Sequence, residues 1–546
     1  MKDNAAQVSY EVTPNPLEMN GGEVQVTIKT QFPEKYFNKK AVVVATPYLK
    51  YESGETEFEP TTLQGESVEE NNKVISYAGG DYTYTGKVAY NDAMMRSDLM
   101  VKMSARIKDK EPIEIPGVKI ADGIITTPNL VEVDPMAILI GDKYVRITPE
   151  SYSAQINYVI DKYDVRNSEL KKKDIKNFEA DINEIKKDSS LELKNAMIAS
   201  YASPDGDLVK INTPLSENRG TSAERYLQRV LEKADLSEAQ TEDFLKVLST
   251  PEDWDGFKKL MEESDIQDKD LILRVLSMYS DPEVREKEIK NISAAFKEIA
   301  EKILPQLRRS VMTIDVEKIG YSDDQLVQLA KTDPDTLKLE EILHAAALIS
   351  DWNSKLAIYK KASENFPKCY RAKNAIGYVE MQLGNYAAAQ SAFEEAKALK
   401  DDNIIKNNIG AALLAQGDVA KAEEMLTAAM GAGNEVNYNL GIIKIKEGDY
   451  KAAVNYLGNK ASYNGALANL LNGDNDKAMS MLGQLKESAK VDYLKAVANA
   501  RAGNDEGVYN NLRNAVGKDA SLKDYAKKDV EFLKYFGNEA FTSIVQ

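Results

Sequence analysis

Residues 191–227 decide how the central part of the chain folds, and they read LELKNAMIASYASPDGDLVKINTPLSENRGTSAERYL. The alternation over 193–200 predicts a strand, with Leu193, Asn195, Met197 and Ala199 on one face and Lys194, Ala196, Ile198 and Ser200 on the other. Ser-Pro-Asp-Gly at 203–206 favours a turn after that strand. Ser216 is a good helix N-cap, and apolar residues follow it at helical spacing over 223–231. The stretch therefore predicts strand, polar loop and helix, with Arg219 in the first helical turn.

Within this stretch, Asn212-x-x-Leu215-Ser216-Glu217-x-Arg219 followed by Tyr226-Leu227 resembles the core motif of the OmpA C-terminal-like domain. A candidate strand at 156–160 and a helical stripe over 170–185 lie upstream, and 307–314 (LRRSVMTI) resembles the closing, arginine-bearing strand of that family. The predicted domain is residues 121–320, with a helical insertion at about 236–303. The resemblance implies an α/β domain that binds peptidoglycan in the periplasm.

The same resemblance implies a site for the peptidoglycan stem peptide. In that family an Arg at the position of Arg219 and an Asp in the preceding loop hold the carboxylate and the amine of a diaminopimelate. Here Ser203 stands at the Asp position, and Asp205 lies two residues on. A guanidinium at a helix start suits a carboxylate, because the free N–H groups and the fork of the side chain both favour it. The implied ligand-binding residues are Arg219, Asn212, Asp205 and Ser203. The alternative is that Arg219 pairs with an acid such as Glu217 and the domain is only a scaffold.

Residues 1–120 carry short runs of alternating apolar residues between turn signals such as Asn20-Gly21-Gly22. This pattern predicts a β-sandwich-like domain. It would be either an inert spacer or a module that docks a protein. Four prolines over 109–135 then favour an extended connection and a domain boundary.

Residues 321–546 are rich in alanine, as helices often are, and contain a motif that repeats at similar intervals. Gly377, Gly410 and Gly441 are separated by 33 and 31 residues, and a second glycine in each unit follows the same offsets. The spacing resembles the tetratricopeptide repeat, whose period is about 34 residues. It predicts an all-α solenoid with a concave face that binds a protein segment. The Ser-Pro-Asp-Gly form resembles OmpA-like proteins of Bacteroidetes, many of which combine such domains with these repeats as outer-membrane lipoproteins.

Composition narrows the function of the 546-residue chain. A net charge of −17 argues against a nucleic-acid partner. His344 is the only histidine and Cys369 the only cysteine, so any histidine-dependent catalytic triad would have to use His344 alone, and a thiolate metal cluster is excluded. No phosphate-binding or dinucleotide-binding glycine motif is present. The sequence therefore predicts a non-enzymatic protein without a cofactor or metal, in which His344 and Cys369 are structural.

Two features of the sequence point to different cellular locations for the protein. No apolar run is long enough to cross a bilayer, and residues 1–7 are polar, which taken literally indicates the cytoplasm. The resemblance instead implies a periplasmic, outer-membrane-associated chain whose export signal, and any lipid anchor, were removed. We expect a tether that links an outer-membrane protein complex to peptidoglycan while the repeats hold a protein partner. The alternative is an assembly scaffold whose OmpA-like domain no longer binds peptidoglycan.

Overall fold

The structure is a computed structural model that describes residues 7–236, 239, 241 and 243–546, apart from the side chains of 293–295. Residues 1–6, on which much of the expectation about an export signal rests, lie outside the described residues. The chain divides into two compact units, of which one comprises Met1–Asp142 with Ile349–Gln546 and the other Lys143–Leu348. The predicted domain limits at 120 and 320 fall inside these units rather than at their ends.

The N-terminal part of the first unit is all β, as predicted. Its strands are β1 Ser9–Thr13, β2 Met19–Asn20, β3 Glu23–Phe32, β4 Ala41–Tyr51, β5 Gly54–Glu57, β6 Thr61–Gly65, β7 Lys73–Ile75, β8 Gly80–Ala89, β9 Ser97–Ile107 and β10 Ile113–Gly123. One sheet joins β1, β2 and β8 to β3, and the other has the order β10-β9-β4-β6-β7 with β5 beside β4. Buried side chains of both sheets, among them Ile28 on β3 and Leu49 on β4, form one apolar core.

The second unit is an α/β domain built on a four-stranded sheet. Its elements are β11 Ile147–Asn157, α1 Asn167–Leu170, α2 Lys173–Lys187, β12 Leu191–Tyr201, α3 Thr213–Lys233, β13 Leu245–Thr250, α4 Trp254–Glu263, α5 Lys269–Met278, α6 Pro282–Asn291, α7 Ser293–Lys302, α8 Leu304–Leu307, β14 Arg309–Ile319, α9 Asp323–Thr332 and α10 Leu339–Leu348. The strand order is β11-β14-β12-β13, and only β12 and β13 are parallel. Apolar residues of α2 and α3 cover the sheet, with Ile182, Leu227 and Ile314 in the shared core.

Three local predictions in this unit were wrong. Strand β13 lies within the segment 236–303 that was predicted to be a helical insertion; it pairs with β12, so the inserted helices begin only at Trp254. Helix α3 begins at Thr213, and the Ser216 hydroxyl is buried and donates to the Thr213 carbonyl (2.9 Å) instead of capping the helix. A bulge after Leu193 changes the phase of β12 and turns Ala196 and Ile198 to the core. Each error arises from a tertiary contact, which the periodicity of the sequence cannot show.

The remaining part of the first unit is a stack of helices. They are α11 Trp352–Asn365, α12 Tyr370–Gln382, α13 Tyr386–Leu399, α14 Asn403–Ala415, α15 Val419–Ala428, α16 Asn434–Glu447, α17 Tyr450–Leu457, α18 Tyr463–Leu471, α19 Asn475–Leu482, α20 Ala489–Ala502, α21 Asp505–Lys518, α22 Leu522–Ala526 and α23 Glu539–Val545. Short turns join successive helices into pairs, and two large apolar clusters run through the stack.

The repeated glycines explain why these pairs pack closely. A Cβ on Gly377 would lie 2.5 Å from the Phe393 ring, and one on Gly410 would lie 2.7 Å from Leu426. Both residues therefore allow the first helix of a pair to touch the second. The second glycine of each unit ends the first helix in the left-handed region, with φ of +78° at Gly384 and +87° at Gly417. The predicted repeat architecture is confirmed in this region.

Candidate functional site

Arg219, the residue expected to meet a ligand carboxylate, is fully buried in the second turn of α3. Its Nε donates to the Lys162 carbonyl (3.0 Å), and its terminal nitrogens donate to the carbonyls of Tyr201 (2.9 Å) and Val159 (3.4 Å). The guanidinium carbon also lies 5.3 Å from the centre of the Tyr158 ring. Burial lowers the pKa of Arg219 to about 10. In this conformation the side chain ties two loops to the helix and has no contact with solvent.

The loop after β12 brings Ser203 and Asp205 together. The Ser203 hydroxyl donates to one oxygen of Asp205. Arg308 donates from Nε to the Ser203 hydroxyl (3.1 Å) and from a terminal nitrogen to the other oxygen of Asp205 (3.2 Å). Asp205 also lies near enough to Arg219 to favour its charged form, whereas Arg308 opposes it. The carboxylate expected to hold a ligand amine is thus paired with an arginine of the same chain.

Asn212 and two acids that precede α4 complete this region. Asn212 is buried and donates to the Gly206 carbonyl (3.0 Å), so it fixes the loop. Asp253 pairs with Arg309 (2.7 Å), and its amide donates to the Ala202 carbonyl (3.2 Å). Arg219, Arg308 and Arg309, which we call the arginine cluster, therefore face acids or carbonyls of the chain itself. The pairing of Asp253 with Arg309 left no sequence signal, because the two residues come from distant segments.

Burial also affects Glu252, the acid beside Asp253. It raises the pKa of Glu252, while hydrogen bonds from the Trp254 ring nitrogen (2.9 Å) and from the Asn212 side chain oppose the shift. An acid of the segment before the inserted helices thus reaches one of the four predicted ligand-binding residues. The region as a whole is closed by contacts between its own groups.

A second site lies on the helical repeats, and the sequence did not predict it. Five of the asparagines that are buried on the first helices of successive pairs form it: Asn374 on α12, Asn407 and Asn408 on α14, Asn439 on α16 and Asn464 on α18. We call them the asparagine ladder. They face residues 131–142, the extended chain that follows the β domain, which we call the resident segment. The prolines of 109–135 suggested a boundary, but this part of the chain is bound.

Three ladder residues each hold both main-chain groups of one segment residue. Asn464 accepts from the Glu132 amide (2.9 Å) and donates to its carbonyl (2.8 Å). Asn439 does the same for Met136 (2.7 and 2.9 Å), and Asn408 for Ile138 (2.7 and 2.7 Å). The two remaining ladder residues donate to the same carbonyls, Asn407 to that of Met136 (3.1 Å) and Asn374 to that of Ile138 (3.2 Å).

Side chains of the resident segment add fewer contacts. Lys490 pairs with Glu132 (2.6 Å), and the Tyr438 hydroxyl donates to Asp134 (2.8 Å). Burial raises the pKa of Asp134. Val131, Ala137 and Ile140 pack against the apolar clusters of the repeats. Recognition therefore depends mainly on the backbone, and asparagines in the middle of helices were the sequence signal, because a buried amide needs partners.

The other expectations concern single residues. His344 lies on α10, 3.4 Å from an oxygen of Asp323 and with its ring 4.9 Å from that of Tyr144. Cys369 is buried. Within the described part of the chain, no group of three or more His, Cys, Asp or Glu is placed to hold a metal ion. No helix in that same part combines the length and the apolar character needed to cross a membrane.

Comparison with known proteins identifies the repeats. The model of the family described as tetratricopeptide repeat matches residues 370–403, which contain α12 and α13. The C-terminal helices therefore contain tetratricopeptide repeats, and this repeat class serves as a scaffold for protein–protein interaction. No curated protein matches the chain.

Several solved structures are similar at low identity. A chain of the APC/C hetero-tetramer Cut9-Hcn1 is 14% identical, over 41% of this chain and 45% of that chain, with a TM-score of 0.33. A tetratricopeptide repeat protein from Parabacteroides merdae is 13% identical over 53% of this chain and 98% of its own, with a TM-score of 0.27. Yeast Tom70 is 11% identical over 68% and 88%, also with a TM-score of 0.27. At these values the likenesses carry no functional argument.

Proposed function

We propose that this protein is a non-enzymatic scaffold of the bacterial cell envelope that organises other proteins through its tetratricopeptide repeats. The observation that carries the proposal is the asparagine ladder, in which buried amides hold the main chain of an extended protein segment. The placement in the periplasm, in association with the outer membrane, follows the OmpA-like sequence motif around Arg219. In this proposal the α/β unit serves as a structural part of the scaffold.

The test of the scaffold is recovery of a partner from the native envelope. The tagged full chain would be cross-linked in its own source, purified and analysed by mass spectrometry. We expect a protein partner in a fixed ratio to the chain, in the membrane or periplasmic fraction. Recovery of the chain alone, or recovery in the cytoplasmic fraction, would contradict the proposal.

A second candidate function is a tether to peptidoglycan, and the arginine cluster favours it. Arg219, Arg308 and Arg309 lie near the loop 203–206, and their guanidinium groups suit an anion, although Asp205 and Asp253 pair with two of them and Asp161 favours the charged form of Arg219. Against it stands the complete burial of Arg219, whose donors already have carbonyl partners. A stem peptide would have to displace those partners.

Sedimentation with purified sacculi separates the two candidates. The full chain, Asp205→Asn and Ser203→Asp would be compared with Lys210→Gln, a control on the exposed turn just before α3. The scaffold proposal expects none of the four proteins to bind. Binding by wild type and Lys210→Gln that is lost in Asp205→Asn would establish the tether instead, and calorimetry with a diaminopimelate-containing peptide would measure its affinity.

A further inference from the structure

We infer that the asparagine ladder is a peptide-binding site that the chain keeps occupied with its own residues 131–142, and that a partner enters only by displacing them. This inference rests on the proposed scaffold function and names how its binding site is regulated. It also specifies the partner: an extended, acidic protein segment that is recognised mainly through its backbone.

The main-chain contacts of the resident segment show what the ladder binds. Glu132, Met136 and Ile138 each give one amide and one carbonyl to the ladder. With the segment bound, the five ladder residues are 0% exposed, and removing the segment would take away the main-chain partners of their amides. An extended chain that offers these backbone groups in the same register would therefore replace the lost partners.

Side-chain contacts define what else an entering segment needs. Lys490 and Tyr438 contact acids at two positions, Glu132 and Asp134. By contrast, Val133 is 40% exposed and Met136 is 43% exposed, so their side chains do not contribute to the specificity of binding. A competing segment would carry acids two residues apart, aligned with Glu132 and Asp134. Main-chain groups four and six residues beyond the first acid would follow.

Covalent connection explains why the site is closed in the intact chain. The resident segment follows directly on β10 through the 3₁₀ turn Thr127–Leu130. Next to that turn, the Thr126 hydroxyl lies 3.3 Å from the Tyr525 hydroxyl, and Thr127 donates to Glu531. Rebinding is therefore intramolecular, at an effective concentration far above that of a free partner. A partner segment gains access when the resident segment is weakened or drawn away.

Proline substitution opens the site without changing the ladder. The double variant Met136→Pro, Ile138→Pro removes two of the three amide donors, and Val133→Pro is the matched control at a residue whose amide makes none of these bonds. The probe is a fluorescein-labelled peptide with the sequence of residues 129–142, measured by anisotropy on the full chain. We expect saturable binding to the double variant and at least tenfold weaker binding to wild type and to Val133→Pro.

Adding Asn408→Ala to the double variant should weaken the peptide at least tenfold, which places it on the ladder. Hydrogen exchange at the Glu132 amide reports release of the resident segment. A released segment with no peptide binding overturns the inference, as does a segment that stays protected in the double variant. Equal peptide binding by wild type overturns it too. None of these outcomes affects recovery of a cross-linked partner, so failure here is distinct from failure of the scaffold proposal.

Discussion

The asparagine ladder and the arginine cluster are both filled by groups of the chain itself, but with opposite chemistry. The ladder binds neutral main-chain groups through neutral amides, whereas the cluster holds carboxylates and carbonyls through guanidinium groups. Neutral pairs are insensitive to salt and pH, and buried charges lose heavily when one partner is removed. The comparison indicates that the ladder can exchange its occupant, whereas the cluster serves to hold the α/β unit together.

The largest expected loss of stability follows a substitution in the arginine cluster. Arg219→Ala leaves three carbonyls without their donor and opens a cavity, so it should destabilise the α/β unit by about 3 kcal/mol or more. Urea unfolding monitored by Trp254 fluorescence in a Trp352→Phe background measures this unit. Lys210→Ala, with an exposed side chain, is the control. A loss no greater than that of the control would mean that Arg219 is not structural and would return it to the ligand-binding candidates.

A substitution in the asparagine ladder should cause a smaller loss of stability. Asn408→Ala removes the amide that holds both main-chain groups of Ile138, with an expected cost of about 2 kcal/mol in the first unit. The measurement is urea unfolding followed by Trp352 in a Trp254→Phe background. Asn403→Ala on the same helix α14 is the exposed control. Equal midpoints for the two variants would show that the ladder contributes little to holding the segment.

A pH effect is expected at the end of the repeats. Asp529 is fully buried beside Glu531, and burial raises its pKa to about 7, although Arg501 and a hydrogen bond from the Tyr493 hydroxyl oppose the shift. The folded chain thus retains a proton that the unfolded chain loses near pH 4. The first unit should therefore lose stability as pH rises from about 4 to about 7, and then level off.

Asp529→Asn tests this sign, because the amide cannot ionise. Thermal unfolding followed by Trp352 fluorescence at pH 5, 6, 7 and 8 should show a decline for wild type that is reduced in the variant. The same decline in both proteins would exclude Asp529 as its source.

The smallest expected effect is that of the exposed ion pair between Lys490 on α20 and Glu132 of the resident segment. Lys490→Gln removes the partner of Glu132, and with the Lys490 side chain 66% exposed the loss should be below about 1 kcal/mol and should vanish in high salt. Urea midpoints in 50 mM and 1 M NaCl measure it. A large loss that persists in salt would show that the segment is held by its charge rather than by its backbone.

Much of the fold followed from sequence, because it depends on local periodicity. The helical stripe of α2, the β character of residues 9–123 and the paired glycines of the repeats all repeat at fixed intervals. Strand β13 was missed because a six-residue strand has little period and lies next to strongly helical segments. The start of α3 was misplaced because Pro214, a good residue for a first turn, was outweighed by the capping residue Ser216.

The sites were harder to predict than the fold. The four residues named from the motif do lie in one region. Arg308, which donates to Ser203, belongs to the arginine-bearing strand that the sequence suggested, but no motif specifies the carbonyls of Lys162 and Tyr201 that accept from Arg219. Their proposed role with peptidoglycan stays a prediction. The ladder was visible only as asparagines inside helices, and its occupant lies hundreds of residues earlier in the chain. Contacts of that kind become evident only in three dimensions.

Because the ladder recognises the backbone, the sequence of the resident segment can vary at some positions and not at others. Its outward side chains, such as Val133, are free to vary in size and polarity, because the ladder does not contact them. Proline is excluded at 132, 136 and 138, where an amide hydrogen is needed, yet Pro135 is tolerated between them. In a library of single substitutions across 131–142, we therefore expect proline to be rejected at these three positions, polar residues to be disfavoured at Val131, Ala137 and Ile140, which pack against the repeats, and outward positions such as Val133 to accept most residues.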